Sequence, residues 1–218
     1  MSVSAILIAL LPISQSASAG IAAEEQERLN TCIHNVDTAP LEAYEDSLAW
    51  LGNGNRPKAR YCNAIALLAL ERFEEGAARL EALANAPDPI SLEDRALYMA
   101  QAGNAWLTAN YPEAAIVALS EALELQPTNP DMLKDRAAAY LALARWIEGV
   151  DDLNAALEIA PADPEALALR ARAHLATENY PAAQADMQDA RLQQPENIDL
   201  LVLRGDIREA IRLSRELN

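Results

Sequence analysis

The chain has 218 residues and sets 17 Lys plus Arg against 33 Asp plus Glu, for a formal net charge of -16. That surplus of carboxylate has the wrong sign for neutralising phosphates or for docking on an anionic membrane surface, which excludes nucleic acid and lipid headgroups as first readings. With 51% apolar residues the chain can bury a core, and a composition rich in Ala with a single Phe favours close-packed helices over sheets.

The N-terminus opens on VSAILIALLPI, residues 3 to 13, an apolar run too short to span a bilayer. Ala17-Ser18-Ala19 then supplies the small-x-small pattern read by a signal peptidase. Residues 1–19 therefore read as a signal peptide cut before Gly20, with a periplasmic or secreted destination. No Cys follows closely enough for lipid attachment. Residues 22–36 and 40–51 read as two helices ended by the turn Gly52-Asn53-Gly54-Asn55, so that 20–56 forms an N-terminal helical cap. Cys32 and Cys62 are the only cysteines, and an even count suits one disulfide in an oxidising compartment. Such a bond closes a loop of about 30 residues, worth roughly 3 to 4 kcal/mol; two buried free thiols are the alternative. His34 and His174 are the only imidazoles, which leaves no four-ligand zinc set by spacing, and no metal is expected.

From residue 57 onward the chain repeats. Residues 57–90 form a degenerate first unit with Ala64 at its eighth position, Gly76 at its twentieth and Leu80 at its twenty-fourth. Ser91 to Arg95 read as a wider loop. Complete units occupy 96–129, 130–163 and 164–197, and 198–218 reads as a C-terminal capping helix. The period of 34 is set by Pro127, Pro161 and Pro195, by Ala122, Ala156 and Ala190, and by the small residues Gly103, Ala137, Ala171 and Gly205. Within a unit, Leu167, Arg170, Ala171 and His174 share one helical face, as do Ala183, Met187 and Ala190. Asn179 breaks the chain between them, and Pro181 suits the first turn of the second helix. A hairpin of this kind cannot bury its own apolar face, so its core is completed by stacking on neighbours.

This pattern resembles the tetratricopeptide repeat (TPR) family over about residues 57 to 218. Position 4 reads Met99, Leu133 and Leu167; position 8 reads Gly103, Ala137 and Ala171; position 11 reads Trp106, Tyr140 and His174; position 20 reads Ala115, Gly149 and Ala183. The Trp-x-x-Leu-Gly core of the family is absent, with Arg136 and Arg170 where Leu is usual. The resemblance implies an all-α, TPR-like α-solenoid of stacked antiparallel helix hairpins. It also puts Cys32 and Cys62 on helices that neighbour one another in the stack.

The arginines carry a further expectation. Asp152 and Asp186 lie sixteen residues after Arg136 and Arg170, whereas the unit with Ala102 has Ala118 there, so charge occurs in pairs or not at all. Helix-to-helix ion pairs are expected, either in that register or with Arg170 reaching back to Asp152 and Arg204 to Asp186. No catalytic constellation is present by sequence. Gly52-x-Gly54 follows no strand, no serine stands in a nucleophile elbow, and adjacent carboxylates such as Asp151-Asp152 diverge by about 100 degrees on a helix.

The resemblance implies a concave groove lined by the first helix of each unit, and no cofactor. Its groove positions carry over to Asn104, Leu107 and Thr108 in one unit, Lys134, Ala138 and Leu141 in the next, and Arg172 and Leu175 in the third, accompanied by Ala100, Asp131, Ala142, Glu165, Ala168 and Ala176. Ala and Leu suit an apolar helix or extended peptide, and Asn104, Lys134 and Arg172 suit its polar groups or a carboxylate. The two-carboxylate clamp of the chaperone-binding members is not matched, because Ala100, Asp135, Glu165 and Leu169 occupy places it needs. The expectation is an exported, non-catalytic adaptor for a protein or peptide partner. The alternative is a structural subunit of a homo-oligomer or envelope assembly, joined through terminal helices if Leu200, Leu203, Ile207 and Ile211 are exposed.

Overall fold

The computed structural model describes residues 13–216, with side chains described from residue 20; residues 1–12 of the expected leader 1–19 lie outside the described residues. Among the described residues the chain forms eleven helices and no strand. They are α1 (Ile13–Thr38), α2 (Pro40–Gly52), α3 (Pro57–Ala69), α4 (Phe73–Ala84), α5 (Leu92–Thr108), α6 (Pro112–Leu125), α7 (Pro130–Ala142), α8 (Trp146–Ile159), α9 (Pro164–Ala176), α10 (Tyr180–Gln193) and α11 (Ile198–Glu216). No helix among them is long and apolar enough to cross a membrane.

Local chemistry sets the boundaries, and it repeats with the sequence. Asn129 Oδ1 accepts from the N–H groups of Asp131 and Met132, Asp163 Oδ1 from those of Glu165 and Ala166, and Asn197 Oδ1 from those of Asp199 and Leu200. Each thereby satisfies donors that a helix start leaves open, and Pro130 and Pro164 stand in the first helical turn, where no N–H is needed. The turn between paired helices is also constant. Glu71, Asn110, Ala144 and Glu178 adopt left-handed backbone, and the N–H of the next residue donates five residues back, as from Tyr111 to the Trp106 carbonyl at 2.8 Å. This closes the exposed carbonyls of the first helix and reverses the chain.

Ser91 to Arg95 are not the wide loop expected. Ser91 Oγ accepts from the Asp94 N–H at 2.9 Å, so Leu92 begins α5 and the insertion adds a turn of helix, with Glu93 and Asp94 favourably placed at its positive end. The loop proper lies earlier, where Arg95 reaches back to the Ala84 and Asp88 carbonyls. The cap helices are both present, and α1 is longer at each end than 22–36.

Paired helices stack in order. Each second helix packs on the first helix of its own unit and of the next, and first helices also touch one another, α5 with α7, α7 with α9, and α9 with α11. The first helices therefore form the inner row, and the second helices the splayed outer row. Between the rows lies the core, where Ala64, Ala77, Ala115, Ala137, Ala171 and Ala183 let backbones approach, and Leu80, Leu119, Leu153 and Met187 fill the gaps.

The charged pairs sit in the same-unit register. Arg136 Nε and Nη2 each donate at 2.7 Å to Asp152, and Arg170 donates to Asp186 at 2.8 and 2.7 Å. The remaining guanidinium nitrogen reaches sixteen residues back, from Arg136 to Ser120 Oγ and from Arg170 to Asn154 Oδ1. The alternative pairs Arg170–Asp152 and Arg204–Asp186 do not form: both oxygens of each carboxylate are held by the Arg of its own unit, and the third nitrogen of Arg170 meets Asn154 instead. Asn63, at the matching place in the degenerate unit, makes the same backward contact to Ser47 Oγ at 3.0 Å. Thus α1 and α2 stand to α3 as one unit stands to the next. Cys32 on α1 and Cys62 on α3 are disulfide-bonded, with Cα atoms 6.0 Å apart.

Candidate functional site

The inner row divides into two halves of different character. Toward the N-terminus it is filled: Tyr61 and Tyr98 rings lie 4.7 Å apart, and Gln101 Nε2 donates to Tyr61 Oη at 3.0 Å. Burial pushes the Tyr98 hydroxyl up to about 12, with the Asp94 and Tyr61 charges adding to it, so this hydroxyl stays protonated; the cavity at this end, about 250 Å³, lies between α1, α2 and α3 and is lined by Arg28, Asp46, Trp50 and the Cys32–Cys62 disulfide. Toward the C-terminus the surface opens.

Of the residues read as groove-lining, several have partners within the chain. Asn104 Nδ2 donates to Asp135 Oδ2 at 2.7 Å, and Thr108 donates its hydroxyl back to the Asn104 carbonyl. Lys134 is only 11% exposed at its side chain and is ringed by Asp163 at 3.1 Å, Glu165 at 3.0 Å and Asp131 at 3.3 Å. Burial works against its charge, yet hydrogen bonds and charge from Glu165 and Asp163 outweigh that and raise its pKa. The Asp163 carboxylate is also the helix cap of α9, so Lys134 welds α7 to α9 and is not free to hold a ligand. Its expected role as a groove cation gives way to this one.

The leucines at position 12 are half-buried packing residues. Leu107 and Leu175 lie against core clusters, and Leu141 fills the space over Gly149 of its own hairpin, where a Cβ would stand 2.1 Å from its Cδ1. Ala138 is half-buried and Arg172 exposed. Arg172 has no ion pair or hydrogen bond among the described residues, which sets it apart from Lys134 and Asn104.

Two adjoining depressions meet at Arg172, between α9 and α11. One, of about 310 Å³, includes Glu165, Ala168, Asn197 and Asp199; the other, of about 390 Å³, includes Leu175, Ala176, Val202 and Asp206. Sequence reasoning stopped at residue 176 and missed Asp199, Val202 and Asp206. The period alone places them, because Asp199, Val202 and Asp206 stand 34 residues after Glu165, Ala168 and Arg172. Leu200, Leu203 and Ile207, whose exposure would have favoured joining subunits through the last helix, are buried against α9 and α10, and Ile211 is half-buried. Among the described residues no three His, Cys, Asp or Glu side chains form a group that would hold a metal ion.

No protein-family model matches the sequence, and no curated protein matches it. Solved structures do. MamA (residues 41 to the end) from Desulfovibrio magneticus RS-1 is 14% identical with TM-score 0.68, over 79% of this chain and 97% of that one. The TPR protein TTC0263 of Thermus thermophilus is 21% identical with TM-score 0.58, over 86% and 98%. The second TPR domain of human RPAP3, in complex with the HSP70 peptide SGPTIEEVD, is 21% identical with TM-score 0.52, over 54% and 98%. Together with the stacked hairpins, these likenesses establish that the chain has a TPR-like solenoid fold.

Proposed function

We propose that this chain is a non-catalytic adaptor of the cell envelope that holds a partner peptide or helix on the C-terminal half of its inner face. The observation that carries the reading is the open surface around Arg172, a cation with no partner among the described residues, flanked by the apolar Ala176 and Val202. The RPAP3 domain of the same fold takes a peptide, which supports the same use here. Its ligand chemistry does not transfer, since Asp131, Glu165, Asp199 and Asp206 are exposed on this face and oppose a peptide as acidic as SGPTIEEVD. The partner segment instead brings apolar side chains, basic residues toward this carboxylate rim, and one acidic group for Arg172.

Photo-crosslinking groups placed at Ala176 and Val202 test the groove, with Val117 on the outer row as the control. We expect capture from the two inner positions, weakened about tenfold by Arg172→Glu, a change of roughly 1.4 kcal/mol. Equal capture from Val117, or indifference to Arg172→Glu in a fully helical protein, overturns it. For location, N-terminal sequencing of the protein from its own cell should start at Gly20; a retained Met1 in the cytosolic fraction removes the envelope from the proposal.

A further inference from the structure

The helices α3, α5, α7 and α9 are each covered by the second helix of their own unit, and α11 has no such cover among the described residues. One face of α11 is satisfied, with Leu200, Leu203 and Ile207 buried against the preceding pair. The other is built like its counterparts and left open. At position 4, Met99, Leu133 and Leu167 are at most 6% exposed, whereas Leu201 is 44% exposed and Ile198 beside it 73%. At position 8, Ala137 and Ala171 are fully buried and a Cβ on Gly103 would strike Leu119, whereas one on Gly205 would meet nothing within 4 Å. At position 7, Arg136 and Arg170 each grip an Asp of the covering helix, whereas Arg204 has no hydrogen bond or ion pair among the described residues. Arg208 first, then desolvation, then Arg191 lower its pKa, so positive charge gathers around Arg204.

We propose that this face of α11 receives an acidic amphipathic helix from a partner protein, seated as the second helix of the last unit. A small side chain lies against Gly205, an apolar one against Leu201, and an Asp takes the bidentate grip of Arg204. A second copy of α11 fits poorly, because a symmetric pairing brings Arg204 and Arg208 against their own counterparts. A dedicated solvating cap would carry charge at positions 4 and 8, where this helix carries Leu and Gly.

The chain supplies its own probe in the peptide of residues 146–159, WIEGVDDLNAALEI, whose Asp152 meets Arg136 in the fold. Added to the isotope-labelled full-length protein, it should shift the amides of Leu201, Arg204, Gly205 and Arg208 saturably. Arg204→Ala in the protein and Asp152→Asn in the peptide should each weaken binding about tenfold, with no further loss when combined. Gly205→Leu, on the exposed surface, should block it. Absence of saturable shifts on α11, shifts confined to α7, or affinity unchanged by Arg204→Ala overturns the proposal. So does a concentration-dependent dimer abolished by Gly205→Leu, which gives the face to a second copy.

Discussion

His174 occupies the slot held by Trp106 and Tyr140 in the two preceding units, with its side chain 19% exposed and its Nε2 3.8 Å from Asp186. Burial lowers its pKa below the usual 6.5; the Asp186 charge opposes that shift and the Arg170 charge reinforces it. The unfolded chain therefore binds this proton more readily than the folded one. Accordingly, His174 costs nothing above its unfolded pKa, and stability falls as the pH drops from there through the lower folded value. His174→Tyr restores the neutral ring of Tyr140, and its urea midpoint should fall less between about pH 7 and pH 5 than that of the parent. Equal slopes would discharge the imidazole from any part in acid sensitivity. At this scale the sequence exposed what lies within one unit. Arg136–Asp152 was legible because both residues recur with the repeat, whereas the neutralisation of Lys134 was hidden, since Asp163 acts as the cap of the next unit's first helix, α9, and Glu165 lies in its first turn.

Between paired helices the glycines decide how close the backbones come, and not all of them are equally constrained. A Cβ at Gly103 would stand 2.5 Å from Cγ of Leu119, which is fully buried, and 3.2 Å from the Ala115 carbonyl oxygen. At Gly149 the obstacle is the tip of Leu141, which is half-buried and can swing outward. Gly103→Ala is thus expected to cost about 1–2 kcal/mol, overpacking outweighing better helix propensity, while Gly149→Ala is near neutral. Chemical denaturation of the two variants checks the order, and the reverse order would mean that α5 and α6 yield more readily than this packing implies. The small positions were readable from the period, but the start of α5 was not. Ser91-Leu-Glu-Asp looks like an insertion against the 34-residue period, yet its hydroxyl caps a helix, and the Ser-x-x-Asp spacing was the local signal that the extra residues join the helix instead of the loop.

Among the described residues each helix pair packs on its neighbours in the stack, so perturbations should stay local. The Cys32–Cys62 bond ties α1 to α3 at one end of the stack, where Leu29 and Trp50 supply a small separate cluster. Reduction should lower the melting temperature, in line with roughly 3–4 kcal/mol of loop entropy, and should speed amide exchange in α1 to α3 while leaving α9 to α11 unchanged. Faster exchange at both ends would show that the stack melts as one unit. What the sequence determined by itself was the repeating element: the 34-residue period, the small and bulky positions and the caps are local patterns, and each unit solves the same packing problem with the same residues. Which inner-face residues remain free was decided only by the tertiary structure. Arg172 and Lys134 are equal candidates by position, but stacking brings the start of α9, with its cap Asp163 and first-turn Glu165, onto Lys134 and leaves Arg172 open, a contact between successive first helices that the pattern within one unit does not encode.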